Sequence, residues 1–136
     1  MEVLHLGIND VPYEDNIHTS TGFVAEELEK NYGIMGFFFE NNSQSIADDA
    51  VQTYLDVISG KDNRIFGESL LVTKVNDKFR RFLDSKAMDR KINGVPTKAS
   101  LLGKSKKLKR NKGPVRPSFI DSGLYQDNFK AWLDNK

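Results

Sequence analysis

Between Lys104 and Lys112 the chain places six cations in nine residues (Lys104, Lys106, Lys107, Lys109, Arg110 and Lys112), and Arg116 follows shortly after. Like charges at that density repel one another and hold their water, so this stretch cannot form the inside of a fold. Pro114 and Pro117 keep the backbone beyond it extended. The run therefore divides the sequence into a body over 1–94, a basic extended arm or loop over 95–118 and a C-terminal docking segment over 119–136. At 136 residues all three belong to one domain, large enough to bury a core without disulfides or metal. The formal net charge of +1 conceals this division. Residues 1–85 carry 15 acidic and 7 basic side chains, 86–116 carry 1 and 11, and 117–136 carry 3 and 2. An acidic body with a basic arm can pair with itself, with a second copy or with nucleic acid.

The body reads as a short strand followed by helices. MEVLHLGI alternates weakly and is stopped by Asn9-Asp10 and Pro12, with His5 as a packed or edge-strand histidine. Asp10–Thr19 is expected as polar loop. Thr19, Ser20 and Thr21 offer N-caps, Glu26, Glu27 and Glu29 load the early turns, and Val24, Leu28 and Tyr32 form one stripe until Gly33 ends or kinks the helix. Phe37, Phe38 and Phe39 follow in a row. Three adjacent rings cannot all face one core, so one meets a neighbouring chain or is covered elsewhere in the monomer. Ser45–Ser59 is expected as the next helix, capped by Ser45 and stopped by Gly60. Ile46, Ala50, Tyr54 and Val57 make one stripe, with Ala47, Val51, Leu55 and Ile58 beside it. So wide an apolar face suits a helix held between two partners.

Lys61–Glu68 reads as turn and loop, and Ser69–Lys86 as a long helix whose start, LLVTKV, also has strand character. Asn93-Gly94 and Pro96 mark a break, after which Thr97 caps a short turn, Lys98–Leu102. In the docking segment Asp121 or Ser122 caps a helical turn carrying Leu124 and Tyr125. Phe129, Ala131 and Leu133 then alternate against Lys130 and Trp132 as a strand would. The expected fold class is α+β: mostly helical, with a small antiparallel sheet and an extended basic arm.

Catalytic chemistry finds little to work with here. The pairs Asp48-Asp49 and Glu26-Glu27 are adjacent and diverge on a helix, so they cannot converge on a substrate. The two histidines lack carboxylates at ligand spacing, and with no cysteine present neither a metal nor a cofactor is expected. Gly103-Lys104-Ser105 lacks the glycine five residues upstream that a phosphate loop requires. No enzymatic activity is expected. No apolar run approaches the length of a membrane span, and the N-terminus lacks a basic region and a cleavage site, so a soluble protein made inside the cell is expected. The arm alone suggests binding. Its cations suit phosphates, with steep salt dependence and no sequence preference. No aromatic residue lies between Lys98 and Arg116, so stacking on bases is not indicated. The other reading is a solvated loop, or an arm lying on an acidic neighbour.

VPTKASLLGKSKKLK followed by PSFIDSGLYQDNF resembles the C-terminal part of phage tail-completion and virion-morphogenesis proteins. The matching positions are Pro96, Thr97, Leu101, Lys104, Ile120, Asp121, Ser122, Gly123, Leu124 and Phe129, and Phe79-Arg80-Arg81-Phe82 upstream adds to the likeness. It covers roughly the last third of the chain well and the helical part loosely. Ser122 stands where threonine is usual and keeps the capping hydroxyl. The resemblance implies a non-enzymatic α+β virion protein of the neck or tail, made in the host cytoplasm and assembled as a ring at the head–tail junction. Its partners would be copies of itself, other neck, portal-side or tail proteins, and the packaged DNA, with no membrane. Phe119, Ile120, Leu124 and Trp132 would anchor the docking segment, and the cations from Lys104 to Arg116 would reach a neighbouring subunit or the DNA passage. A small DNA-binding protein using the same arm is the alternative.

Overall fold

In the computed structural model, residues 2–13, 16–103, 115–119 and 124–135 are described. The first strand, β1 (Glu2–Ile8), pairs antiparallel with the last, β4 (Phe129–Asn135), in the register Leu4↔Leu133, Leu6↔Ala131 and Ile8↔Phe129. The period of two decides which side chains are covered. Phe129 and Ala131 are buried with Leu4, Leu6 and Ile8 packed beside them, whereas Lys130 and Trp132 face outward. This confirms the terminal strands. Trp132, expected among the docking residues, is 39% exposed and so is not part of the core of the single chain.

Residues 10–19 are not plain loop: β2 (Pro12–Tyr13) pairs antiparallel with β3 (Asn16–Ser20). Their return is fastened by Thr21, which is fully buried. Its hydroxyl donates to the Asn9 carbonyl (2.6 Å) and accepts from the Val11 N–H (2.8 Å). Helix α1 (Thr21–Tyr32) then starts at Ser20, whose hydroxyl accepts from the Phe23 N–H at 3.2 Å.

Gly33 ends α1 in the left-handed region (φ 62°) and is also the residue before α2 (Ile34–Ile58). A helix restarting there has no side-chain cap of its own. Glu29, one turn back on α1, supplies it by accepting from the N–H groups of Met35 (2.8 Å) and Gly36 (3.1 Å). The next helix thus begins 11 residues before the expected Ser45, which lies inside it. Asn41 and Asn42, usually helix-averse, remain helical with side chains donating to the Phe37 and Phe38 carbonyls. Buried Ile34 and Phe38 repay their poor local propensity through tertiary contact.

Helix α3 (Arg64–Asp84) also begins earlier than expected, because Asn63 caps it by accepting from the Phe66 N–H at 2.8 Å. It packs along α2 as an antiparallel hairpin. At Gly67 an added Cβ would lie 3.0 Å from Val57 Cγ2 and 3.1 Å from Thr53 Cγ2, so the absent side chain lets the helices close. Lys78 Nζ and Asp49 Oδ2 bridge them at 2.8 Å.

Around the open end of this hairpin, where α2 begins and α3 ends, sits the core. Phe79 is its centre, stacked on Phe129 (centroids 3.8 Å apart) and edge-on to Phe38 and Tyr125. A turn-rich segment over residues 85–97 contributes buried Met88 and Val95 and leads to α4 (Lys98–Leu102). The short α5 (Leu124–Asp127) precedes β4. Gln126 fastens it to α3 by donating to the Arg80 carbonyl and to Asp84 Oδ1, both at 3.0 Å. The fold is α+β, mostly helical with a small antiparallel sheet, as expected. The run from 104 to 114 lies outside the described residues.

Candidate subunit interface

Two features of this architecture bear on function, one at each end of the hairpin. The closed end, or tip, is where α2 stops and α3 starts. On α2, Ile46 and Thr53 turn toward α3 and are buried. Val51, Leu55 and Ile58 recur at i, i+4 and i+7 on the opposite side and are 53–82% exposed. On α3, Ile65, Phe66 and Leu70 are 37–84% exposed. The second apolar stripe foreseen on α2 is thus present, and no described element covers it. Ile65 and Phe66 were missed because residues 61–68 read as loop; Asn63, a favoured N-cap residue, was the available signal for a helix start there.

At the tip the carboxylates Asp56, Asp62 and Glu68 outnumber the cations Lys61 and Arg64 by one, and Arg64 is bridged to Glu68 at 2.8 Å. Helix α2 has Glu40, Asp48, Asp49 and Asp56 and no cation at all. Asp49 is neutralised by Lys78, while Asp48 and Asp56 accept from the amides of Gln44 and Gln52.

At the base, the two flanks of the basic segment are clasped together. Thr97 Oγ1 caps α4 by accepting from the Ser100 N–H (3.1 Å), and the Ser100 hydroxyl donates to the Thr97 carbonyl (2.8 Å). Ser118 Oγ accepts from the Thr97 N–H (3.0 Å) and lies 3.0 Å from Ser100 Oγ, and the Arg116 N–H donates to the Ser100 carbonyl (3.1 Å). Ser100 and Ser118 are buried, so the contact between their hydroxyls is sheltered from water. Phe119 completes the clasp against Tyr32, with centroids 4.9 Å apart, despite its positive φ of 71°. On the outside of this base Leu101 and Leu102 are half exposed, and Val115 is exposed beside them.

Of the residues singled out from sequence, Arg116 and Phe119 come together at this clasp. Leu124 opens α5. Trp132 lies on the outer face of the ribbon, stacked on His5 (5.1 Å, 11° between planes) over Gly7, with Lys130 Nζ 5.6 Å from its ring centroid. Lys104, Lys106, Lys107, Lys109, Arg110 and Lys112 lie outside the described residues, as do Ile120, Asp121, Ser122 and Gly123. The buried anchors of the C-terminal segment are instead Tyr125, Phe129 and Ala131.

No family model matches the chain, and neither a curated protein nor a solved structure does.

A groove of about 360 Å³ beside the base is floored by Phe37, Phe82 and Ala87 and edged by Lys78, Arg81 and Lys91. It is a cationic surface groove, with Lys78 already engaged by Asp49. The Tyr125 hydroxyl is enclosed in the core and finds no hydrogen-bond partner among the described residues. Burial, and then the nearby charge of Glu29, pushes its ionisation well above the ordinary tyrosine value. At the surface the Asp10 carboxylate is held below its usual value by the Ser20 hydroxyl and then by the Gly22 N–H, 3.0 Å away. Among the described residues no three histidine or acidic side chains gather as metal ligands, and no helix is long and apolar enough to cross a membrane.

Proposed function

We propose that the chain is a non-enzymatic structural subunit of a bacteriophage virion, of the neck or tail-completion (tail-terminator) type, assembling as a ring at the head–tail junction. The phage assignment rests on the resemblance of the segments around Pro96–Lys104 and Ile120–Phe129 to that family. The observation that carries the assembly reading is the bare apolar tip. Six large apolar side chains stand exposed at the end of an otherwise packed hairpin, more than a solitary soluble domain ordinarily leaves in water. The charge division adds to it: an acidic body and a basic segment in every copy favour contacts between unlike surfaces, which close into rings. Ring subunits of this kind would meet other neck, portal-side or tail proteins, and the basic segment would face a neighbour or the packaged DNA.

Electron microscopy of the purified protein, with sedimentation over a range of concentrations, tests this. Closed rings of uniform diameter are expected, as is density for this subunit at the head–tail joint of the parent particle. A protein that stays monomeric and binds duplex DNA, with affinity falling steeply as salt rises, would overturn the proposal in favour of a DNA-binding module.

A further inference from the structure

The tip of the hairpin and the α4 base lie at opposite ends of α2, whose 25 residues span about 37 Å. We infer that they are the two halves of one head-to-tail contact: the apolar, acidic tip of one copy docks on the apolar, basic α4 surface of the next. This inference rests on the assembly reading above and names its interface.

Charge selects the occupant. The exposed stripe of Val51, Leu55 and Ile58 is carried on a helix with four carboxylates and no cation. Two tips brought together would set Asp48 and Asp56 near their own copies, and like charges across a contact are disfavoured; of the tip's two cations, Lys61 and Arg64, the second is already bridged to Glu68. The α4 end offers the opposite sign. Residues 90–103 include Arg90, Lys91 and Lys98 and no acidic side chain, and residues 115–119 add Arg116 and again no acid. Apolar area is available there too. Leu101 and Leu102 are 49% and 53% exposed, and the Arg116–Ser100 backbone bond brings exposed Val115 beside them. Leu101 and Leu102, with Lys98 one turn before them on α4 and Arg116 bonded to the Ser100 carbonyl, would meet aliphatics flanked by Asp48 and Asp56, an apolar centre with a charged rim. Because the two surfaces differ and sit far apart on one molecule, the contact is heterologous. It repeats from copy to copy, making a ring if the rotation closes and a filament if it does not.

Two variants test the pairing. L55K/I58K places cations on the tip, and L101S/L102S strips the apolar centre from α4. Both change exposed positions, and circular dichroism with denaturant unfolding verifies that each remains folded. In sedimentation velocity each variant alone is expected to lose self-association by about 100-fold or more. An equimolar mixture is expected to form a 1:1 pair that grows no further, since the tip of the α4 variant still fits the α4 surface of the tip variant. Wild-type assembly is expected to weaken as sodium chloride rises. If either variant alone assembles like the wild type, or if the mixture stays monomeric, the head-to-tail contact is wrong. Wild-type rings that survive both changes would refute this contact while leaving the ring proposal standing. Wild-type filaments abolished by both changes would support the contact while refuting the ring. A wild type that is monomeric at every concentration would overturn both.

Discussion

The two ends of the α2–α3 hairpin are made of similar residues and meet opposite fates. At the base Ile34, Phe38, Phe79 and Phe82 vanish beneath the strand ribbon, α1 and the turn segment. At the tip Val51, Leu55, Ile58, Ile65, Phe66 and Leu70 stay in water. Local sequence does not distinguish them; what differs is whether the rest of the chain arrives to cover them. Only the base's apolar content is spent on the stability of this chain, whereas the tip's remains free for association.

That contrast can be broken by substitution. Phe79→Ala, at the centre of the aromatic cluster, is expected to cost about 3–5 kcal/mol in denaturant unfolding, a large fraction of the stability of a small domain. Midway along the hairpin, Gly67→Leu pushes a side chain into Val57 and Thr53, and a loss of about 2 kcal/mol is expected by the same measurement. Sealing of the base should also be visible in alkali. Tyr125 ionises less readily folded than unfolded, so its contribution is intact below the unfolded value of about 10 and is lost as pH rises above it, by up to about 1.4 kcal/mol per pH unit. Tyr125→Phe should flatten that slope in unfolding curves between pH 9 and 12, where only groups that titrate differently on folding contribute. Removing the clasp hydroxyl with Ser118→Ala deprives the Thr97 N–H of its acceptor and should cost about 1 kcal/mol by thermal unfolding. Smallest of all, Ile58→Ser at the tip should change the stability of the monomer by less than about 0.5 kcal/mol. A large loss there would mean that the tip is a second core.

Much of the scaffold was legible before any coordinates. The terminal strands follow from alternation, the end of α1 from Gly33 and the start of α4 from Thr97, each a local signal with a local cause. The early start of α2 was not legible because its cap comes from Glu29 of the preceding helix, reaching past the glycine that looked like a stop. Residues 10–19 looked like loop because the pairing within them depends on Thr21 reaching back to Asn9 and Val11. As for the candidate interface, its α2 half could be read from spacing alone. Joining α4 to residues 115–119 required a serine pair 18 residues apart, which no pattern in the intervening sequence announces.

The clasp has a consequence for how this chain can bind. Thr97, Ser100, Arg116 and Ser118 tie residues 97–100 to residues 116–118 by hydrogen bonds that bridge distant positions of sequence. The two flanks of the basic run are thereby held together by the body itself. A partner that binds the cations does not have to bring those flanks together, so the ordering cost of doing so is met when the chain folds and not when it binds.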